Sequence, residues 1–265
     1  MKLFSRTADV TIFFLAIFFL ALSLTGCGTQ GGGSAGTPQQ ATTRAEERAK
    51  AHTELAAQYY DRAQLGIALE EIEQALRAQS DYAPAYSVRG LVRMALHEYP
   101  QAEQDFRRSL QLDSSDSNTH NNYGWFLCQQ SREKESIAHF MAALKNPLYT
   151  TPSKAYLNAG VCSRKGGNMK DAEEFLHKAL VVQPNMPEAL FNLADVAFAQ
   201  ADYAAAKSYF MRFAKYADNL NAENLWLAVR IERKLGDKSA EGNYALQLRK
   251  RFPDARETQL MLHGQ

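Results

Sequence analysis

The chain has 265 residues, 46% of them hydrophobic and 22% charged, and a formal net charge of +1. That is room for one or two globular domains. A near-neutral balance, with no basic run and no interleaving of aromatic with basic side chains, argues against nucleic acid or an acidic substrate as a partner. At the N-terminus Lys2 and Arg6 precede an almost wholly apolar run from Val10 to Leu24. At about fifteen residues the run is short for a bilayer span of ~20. It ends on small residues before a cysteine, as a cleaved secretory signal does.

The closing quartet, Leu24-Thr25-Gly26-Cys27, resembles the lipobox of bacterial lipoproteins. That resemblance implies a signal peptide over residues 1–26, cleavage before Cys27 and diacylation of its sulfur, so the expected cofactor set is none beyond a covalent lipid. In the sorting pattern it resembles, an Asp after the cysteine holds the protein in the inner membrane. Gly28 stands there instead, and the expected location is the outer membrane, lipid-anchored, with the folded part facing the periplasm. Gly28 to Arg44 is rich in Gly, Thr, Ser and Gln and lacks apolar periodicity, too little hydrophobic surface to fold. Residues 27–47 are therefore expected to form the lipidated N-terminus and a flexible tether, with a reach of roughly 20–25 Å.

From Arg48 a repeat takes over. A small residue recurs at Ala56, Gly90, Gly124, Gly160, Ala194 and Ala228, and a second at Ala68, Ala102, Ser136, Ala172, Ala206 and Ala240. The steps within each series are 34, 34, 36, 34 and 34 residues. Four residues beyond the second series stand Ile72, Phe106, Phe140, Leu176, Phe210 and Tyr244. Small residues at one phase let two antiparallel helices approach, and the large ones are expected to fill the core between consecutive units. The stretch Tyr156 to Pro184 shows the full order of aromatic, glycine, alanine, large apolar and proline, which is the 34-residue tetratricopeptide pattern. The expected fold is an all-α solenoid of six helix-turn-helix units: 49–82, 83–116, 117–152, 153–186, 187–220 and 221–254. Residues 255–265 form a tail in which Thr258, Leu260 and Leu262 suit a short capping helix.

The 36-residue step falls at Lys145 to Pro152, where Pro147 and Pro152 replace a tight turn; a stiffened loop on the solenoid edge is expected. First helices of such repeats line a concave channel at their second, fifth, ninth and twelfth positions. Those positions bring in Leu91, Met94, Asn121, Trp125, Val161, Phe191 and Phe198, while Asn122, Asn158 and Asn192 recur at the sixth. An apolar and aromatic lining with scattered amides suits an extended peptide and not a phosphate, a sugar or another small-molecule substrate. The Asn residues fit either a client backbone or the neighbouring turns and helices.

Cys128 and Cys162 fall on first helices of adjacent units; they are either bridged, which closes a loop worth ~3–4 kcal/mol, or two buried thiols. The six histidines never pair at helical spacing, so no metal site is indicated. No serine elbow, phosphate loop or dinucleotide glycine fingerprint occurs, and an enzyme is not expected. Charges of alternating sign at 100–108, 132–135, 170–178 and 232–238 read as solvated outer faces.

Taken together, the lipobox start, the tether, six repeats, Asn121-Asn122-Tyr-Gly-Trp-Phe-Leu-Cys128, the Asn146-Pro-Leu-Tyr149 insertion and Tyr244-Ala-Leu-Gln-Leu-Arg-Lys-Arg-Phe-Pro253 resemble the PilF/PilW family. These are outer-membrane lipoproteins of type IV pilus biogenesis. The resemblance implies a pilotin: a protein that binds the pilus secretin subunit and promotes its outer-membrane localisation and multimerisation. It also implies a Cys128–Cys162 bridge, formed in some members. The first unit departs most, with His52 in place of the aromatic and Ser80 in place of the proline. A tetratricopeptide lipoprotein scaffolding barrel assembly or peptidoglycan enzymes is the alternative.

Overall fold

The computed structural model describes residues 38–264, with side chains from residue 42; the expected signal peptide and Cys27 lie outside the described residues. Those residues form thirteen α-helices and no strand. Twelve pair as six hairpins: α1 (Pro38–Asp61) with α2 (Leu65–Ala78), α3 (Ala83–Ala95) with α4 (Tyr99–Leu112), and α5 (Ser117–Gln129) with α6 (Glu133–Ala143). Then come α7 (Pro152–Lys165) with α8 (Met169–Val182), α9 (Pro187–Ala199) with α10 (Tyr203–Tyr216), and α11 (Ala222–Leu235) with α12 (Lys238–Arg251). A short α13 (Arg256–Leu262) closes the stack against α11 and α12.

Each first helix touches the next, from α1 through α3, α5, α7 and α9 to α11, and each second helix touches the first helix that follows it. The second helices do not pack on one another. A stack held together along one set of helices and splayed along the other curves towards the set in contact, so the first helices line the inner face.

The reason for the hairpins is visible at the crossings. A Cβ added to Gly90 would lie 2.8 Å from the Phe106 ring, one on Gly124 2.8 Å from Phe140, and one on Gly160 2.6 Å from Leu176. Side chains of that size are excluded because the second helix lays its large residue on the glycine. The large residue therefore seats first in its own hairpin, not only between units as the sequence suggests. Phe106 also reaches forward, with ring centroids 5.6 Å from both Tyr123 and Phe126 of the next unit.

Helix starts are marked by prolines in the first turn of α3, α4, α7 and α9, where the missing amide hydrogen costs nothing. Asp116, Asn168, Asp202, Asn221 and Asp237 cap their helices by accepting backbone N–H bonds. The turn inside each hairpin needs one left-handed residue. Ala63, His97, Ser131 and Ala201 adopt φ of 57–65°, and Gly167 and Gly236 do so at 80°.

Three sequence expectations are corrected. Helix α1 starts at Pro38, so residues 38–47 are helical and not coil. Apart from Thr42 and Thr43 the stretch after Pro38 holds good helix formers (Ala, Glu, Arg, Gln), and the packed face beginning at the fully buried Ala49 extends it backwards. The charged stretches are not all solvated. Asp105 is 2% exposed and Glu232 4%, each held by cations from elsewhere: Arg89 and Arg93 on Asp105, Lys207 on Glu232. In the C-terminal cap, Thr258 is buried and donates to the Phe252 carbonyl at 2.6 Å, but Leu262 faces solvent and Met261 packs in its place beside Leu260.

The loop between α6 and α7 is pinned and not free. Tyr149 packs into a small buried cluster with Ala143 and Ala155, while Leu148 is exposed.

Candidate functional site

Two cavities are lined in part by first helices. The first, of about 420 Å³, lies across α1, α3 and α5 and reaches Lys154 on α7. Its floor is Ala57, Val88 and Leu91, with Tyr60 and Tyr82 at the sides. Thr53, Ser87, Asn118 and Asn122 supply hydroxyls and amides, and Lys50, Glu54, Asp61, Asp116 and Lys154 supply charge of both signs. Burial, and then the charge of Asp61, pushes the Tyr60 phenol up. Burial, then Glu46, Glu54 and Asp116, does the same at Tyr82. Both phenols therefore stay protonated at neutral pH and can donate a hydrogen bond. A concave, mainly apolar cleft with a few polar groups converging on it is the usual form of a binding site.

The second cavity, of about 490 Å³, lies further along at α9, the end of α10 and the start of α11. Phe191 and Asn192 line it together with Phe213, Tyr216 and Asn224.

The sequence-selected groove residues divide accordingly. Leu91 lines the first cavity and Phe191 and Asn192 the second. Met94 packs on the core around Phe106, and Trp125 packs half-buried against Cys128, Phe140, Ala159 and Cys162. Asn121 is buried, its Oδ1 accepting from Asn158 Nδ2 at 3.0 Å. Val161 is half-buried and lines neither cavity. Phe198 lies under the Arg230 guanidinium at 4.7 Å, beside an Arg164–Asp195 pair at 2.5 Å.

The sixth-position amides are engaged within the chain. Asn122 donates to Ser87 Oγ at 3.2 Å, Asn158 to Asn121, and Asn192 to the Glu188 carbonyl at 2.8 Å. Two of these bonds tie one first helix to the one before it, so they set the spacing of the inner face.

Cys128 and Cys162 are joined, with Cα atoms 5.8 Å apart, linking α5 to α7. Lys165 reaches back to the Cys128 carbonyl at 2.8 Å and reinforces that junction. The histidines, unpaired in sequence, pair in space: His120 Nδ1 and His139 Nδ1 are 2.9 Å apart between α5 and α6. Burial, then the charge of His120, lowers His139 to about 4. Among the described residues no group of three or more His, Cys, Asp or Glu is placed to hold a metal ion.

The residues missed by the sequence reading sit mostly on the first unit. Lys50, Thr53, Ala57 and Tyr60 all line the first cavity. They occupy the second, fifth, ninth and twelfth positions of that unit, so the inward template finds them once applied to repeat one.

A tetratricopeptide-repeat family profile matches residues 187–219. The type IV pilus assembly protein PilF of Pseudomonas aeruginosa is 28% identical over 248 residues, covering 94% of this chain and 95% of that protein. A crystal structure of PilW, described as a widely conserved type IV pilus biogenesis factor, superposes with a TM-score of 0.75 at 34% identity, covering 81% of this chain and 98% of PilW. The P. aeruginosa PilF structure gives a TM-score of 0.75 at 26% identity, with 84% and 100% covered. With a tetratricopeptide solenoid whose relatives align over nearly their whole length, the chain belongs to the PilF/PilW family of type IV pilus tetratricopeptide proteins.

Proposed function

We propose that this chain is an outer-membrane lipoprotein, acylated on Cys27, whose inner face captures an extended segment of the type IV pilus secretin subunit and so promotes secretin localisation and multimerisation. All six hairpins act as tetratricopeptide units in this reading. The observation that carries it is the cleft across α1, α3 and α5: a concave strip of Ala57, Val88 and Leu91 bordered by hydroxyls and amides. Such a strip suits apolar side chains of a strand-like client, with polar groups at the rim for its backbone. The acyl chains would supply membrane affinity at about 0.8 kcal/mol per buried methylene. The Cys128–Cys162 bridge fits an oxidising compartment.

Delivery and capture separate by mutation. Cys27→Ser should leave secretin binding intact and lose outer-membrane placement, read by fractionation. Val88→Arg with Leu91→Arg should keep placement and abolish co-purification of the secretin, with a wild-type melting curve separating lost capture from a lost fold, since both side chains also pack on core clusters. Normal secretin multimers in that double variant would remove the cleft from the mechanism. Trp125 is a poor probe, since it packs on the bridged cysteines. Thiol titration after denaturation of protein made in the periplasm should find neither Cys128 nor Cys162 free.

A further inference from the structure

Where α7, α9 and α11 touch in succession, charged side chains bridge them. At the ninth place of the unit Ala57, Leu91, Trp125 and Val161 give way to Asp195, and at the twelfth Met94 and Cys128 give way to Arg164. Asp195 on α9 accepts from Arg164 Nη1 of α7 at 2.5 Å and lies 3.6 Å from Arg230 Nη2 of α11. Neither arginine pairs with another carboxylate among the described residues. The three side chains are 24–33% exposed, so this ladder is open to solvent and not sealed in the core.

The ladder is incomplete in two respects. Two guanidiniums share one carboxylate, which leaves one positive charge in surplus. Their hydrogen-bonding capacity is also unspent. Each guanidinium carries donors on all of its nitrogens, yet Arg164 donates only to Asp195 and Arg230 to no group among the described residues. The Nε of each is enclosed and meets no acceptor, whereas buried polar groups are ordinarily satisfied. Rings hold Arg230 in this pose: its Cζ lies 4.7 Å from the Phe198 centroid and 5.8 Å from that of Trp226. Such stacking steadies the planar fork without neutralising it. Arg233 also lies over Trp226, at 5.6 Å, but it is paired with Glu241. Joining the helices does not require an unbalanced ladder, since apolar residues fill the same places in earlier units, and desolvating unmatched guanidiniums is costly.

We propose that this α7–α9–α11 strip binds the carboxylate of an aspartate or glutamate side chain on a protein client, taken by Arg164 and Arg230 as a second carboxylate beside Asp195. One carboxylate brings the ladder to neutrality. A phosphate group, at about −1.5 to −2, overshoots it and meets the repulsion of Asp195. The site lies on other helices than the α1–α5 cleft, apart from Lys154 at the cleft's edge, and its recognition is by charge where the cleft's is mainly apolar.

The test places photo-cross-linking benzoylphenylalanine at Val161, half-buried and one turn before Arg164, in the full chain in its own membrane. Mass spectrometry then identifies the linked client residues. A segment with an aspartate or glutamate at or beside the link is expected, and that segment is made as a peptide. Its affinity should fall about tenfold for Arg230→Gln protein, and equally when the peptide's carboxylate is replaced by the amide, with the two losses not additive. The peptide-side change reads the contact in protein whose fold is untouched. Asp195→Asn protein should bind the peptide more tightly, because the rival carboxylate is gone; a ladder that only joins helices gives no such gain. No cross-link from Val161, a linked segment without a carboxylate, a peptide that fails to bind, unchanged affinity in Arg230→Gln, or additive losses overturns the inference. So does unchanged or weaker binding by Asp195→Asn protein that melts like wild type. Each of these results leaves the cleft reading standing, since Val88→Arg with Leu91→Arg tests that by itself.

Discussion

The first three hairpins and the two that follow solve the same packing problem with different chemistry. At the twenty-third place of each unit stand Glu71, Asp105 and His139 in the first three, then Phe175 and Tyr209. In the first three units a polar partner from the first helix meets that residue. Glu71 meets His52 at 2.6 Å, Asp105 meets Arg89 and Arg93 at 2.7–2.8 Å, and His139 meets His120 at 2.9 Å. In the fourth and fifth units Phe175 packs beside the bridged cysteines and Tyr209 against the apolar cluster of that half. The crossing is unaffected: Phe106 covers Gly90 in one, and Phe210 belongs to the same buried cluster as Ala194 in the other. Register is therefore set by the small–large crossing, and the seam beside it is free to be ionic or apolar. An ionic seam has a liability the apolar one lacks, since each group depends on its partner.

The largest effect should follow from breaking such a seam on one side. Asp105→Ala leaves Arg89 half-buried without its carboxylate and Arg93 with only the more distant Glu98 at 3.9 Å, and should cost ~3–5 kcal/mol in urea denaturation. Converting the whole seam to its fifth-unit counterpart, Arg89→Leu/Arg93→Ala/Asp105→Tyr, should recover most of that loss. A triple variant as unstable as the single one would mean the ionic seam is required and not exchangeable.

Gly90→Ala tests the crossing itself. Helix propensity favours alanine by ~1 kcal/mol, but the new Cβ would sit 2.8 Å from the Phe106 ring. Overpacking of ~1–3 kcal/mol should win, for a net loss of up to about 2 kcal/mol in the same measurement. An unchanged midpoint would place the register elsewhere.

The His120–His139 seam predicts a pH dependence. His139 sits at about 4 in the fold against ~6.5 unfolded, so below pH 6.5 the unfolded chain binds the extra proton. Stability is then full above pH 6.5 and is lost as pH falls towards 4. With partial solvent screening the loss should be about 1–2 kcal/mol. It should shrink in His139→Phe, read as the difference in Tm between pH 7.5 and 5. The smallest effect is in the turns. Ala201→Gly relieves a left-handed alanine at φ 65° and should stabilise by up to ~1 kcal/mol; Gly167, already glycine, marks what the site accepts.

These seams explain what could and could not be read from residues alone. The crossings were legible because a small residue and a large one at fixed spacing have one use. The first cleft was legible too, through positions two, five, nine and twelve, including the Lys50–Tyr60 set passed over in the divergent first unit. Asp105 was not, because a carboxylate among alternating charges looks solvated until two arginines from another helix arrive. His120 and His139 stand 19 positions apart, a separation no helical spacing rule inspects. The start of α1 was missed since a polar, alanine-bearing segment reads as coil when its packed face begins only at its end.

The bond between Cys128 and Cys162 has a mechanical consequence. It staples α5 to α7, at the centre of a stack that runs from α1 to α12. A stack of hairpins resting on one another can stretch or coil like a spring, each joint yielding a little. Clamping the middle joint stiffens the stack at its centre, so the hairpins on either side are held at a nearly constant separation.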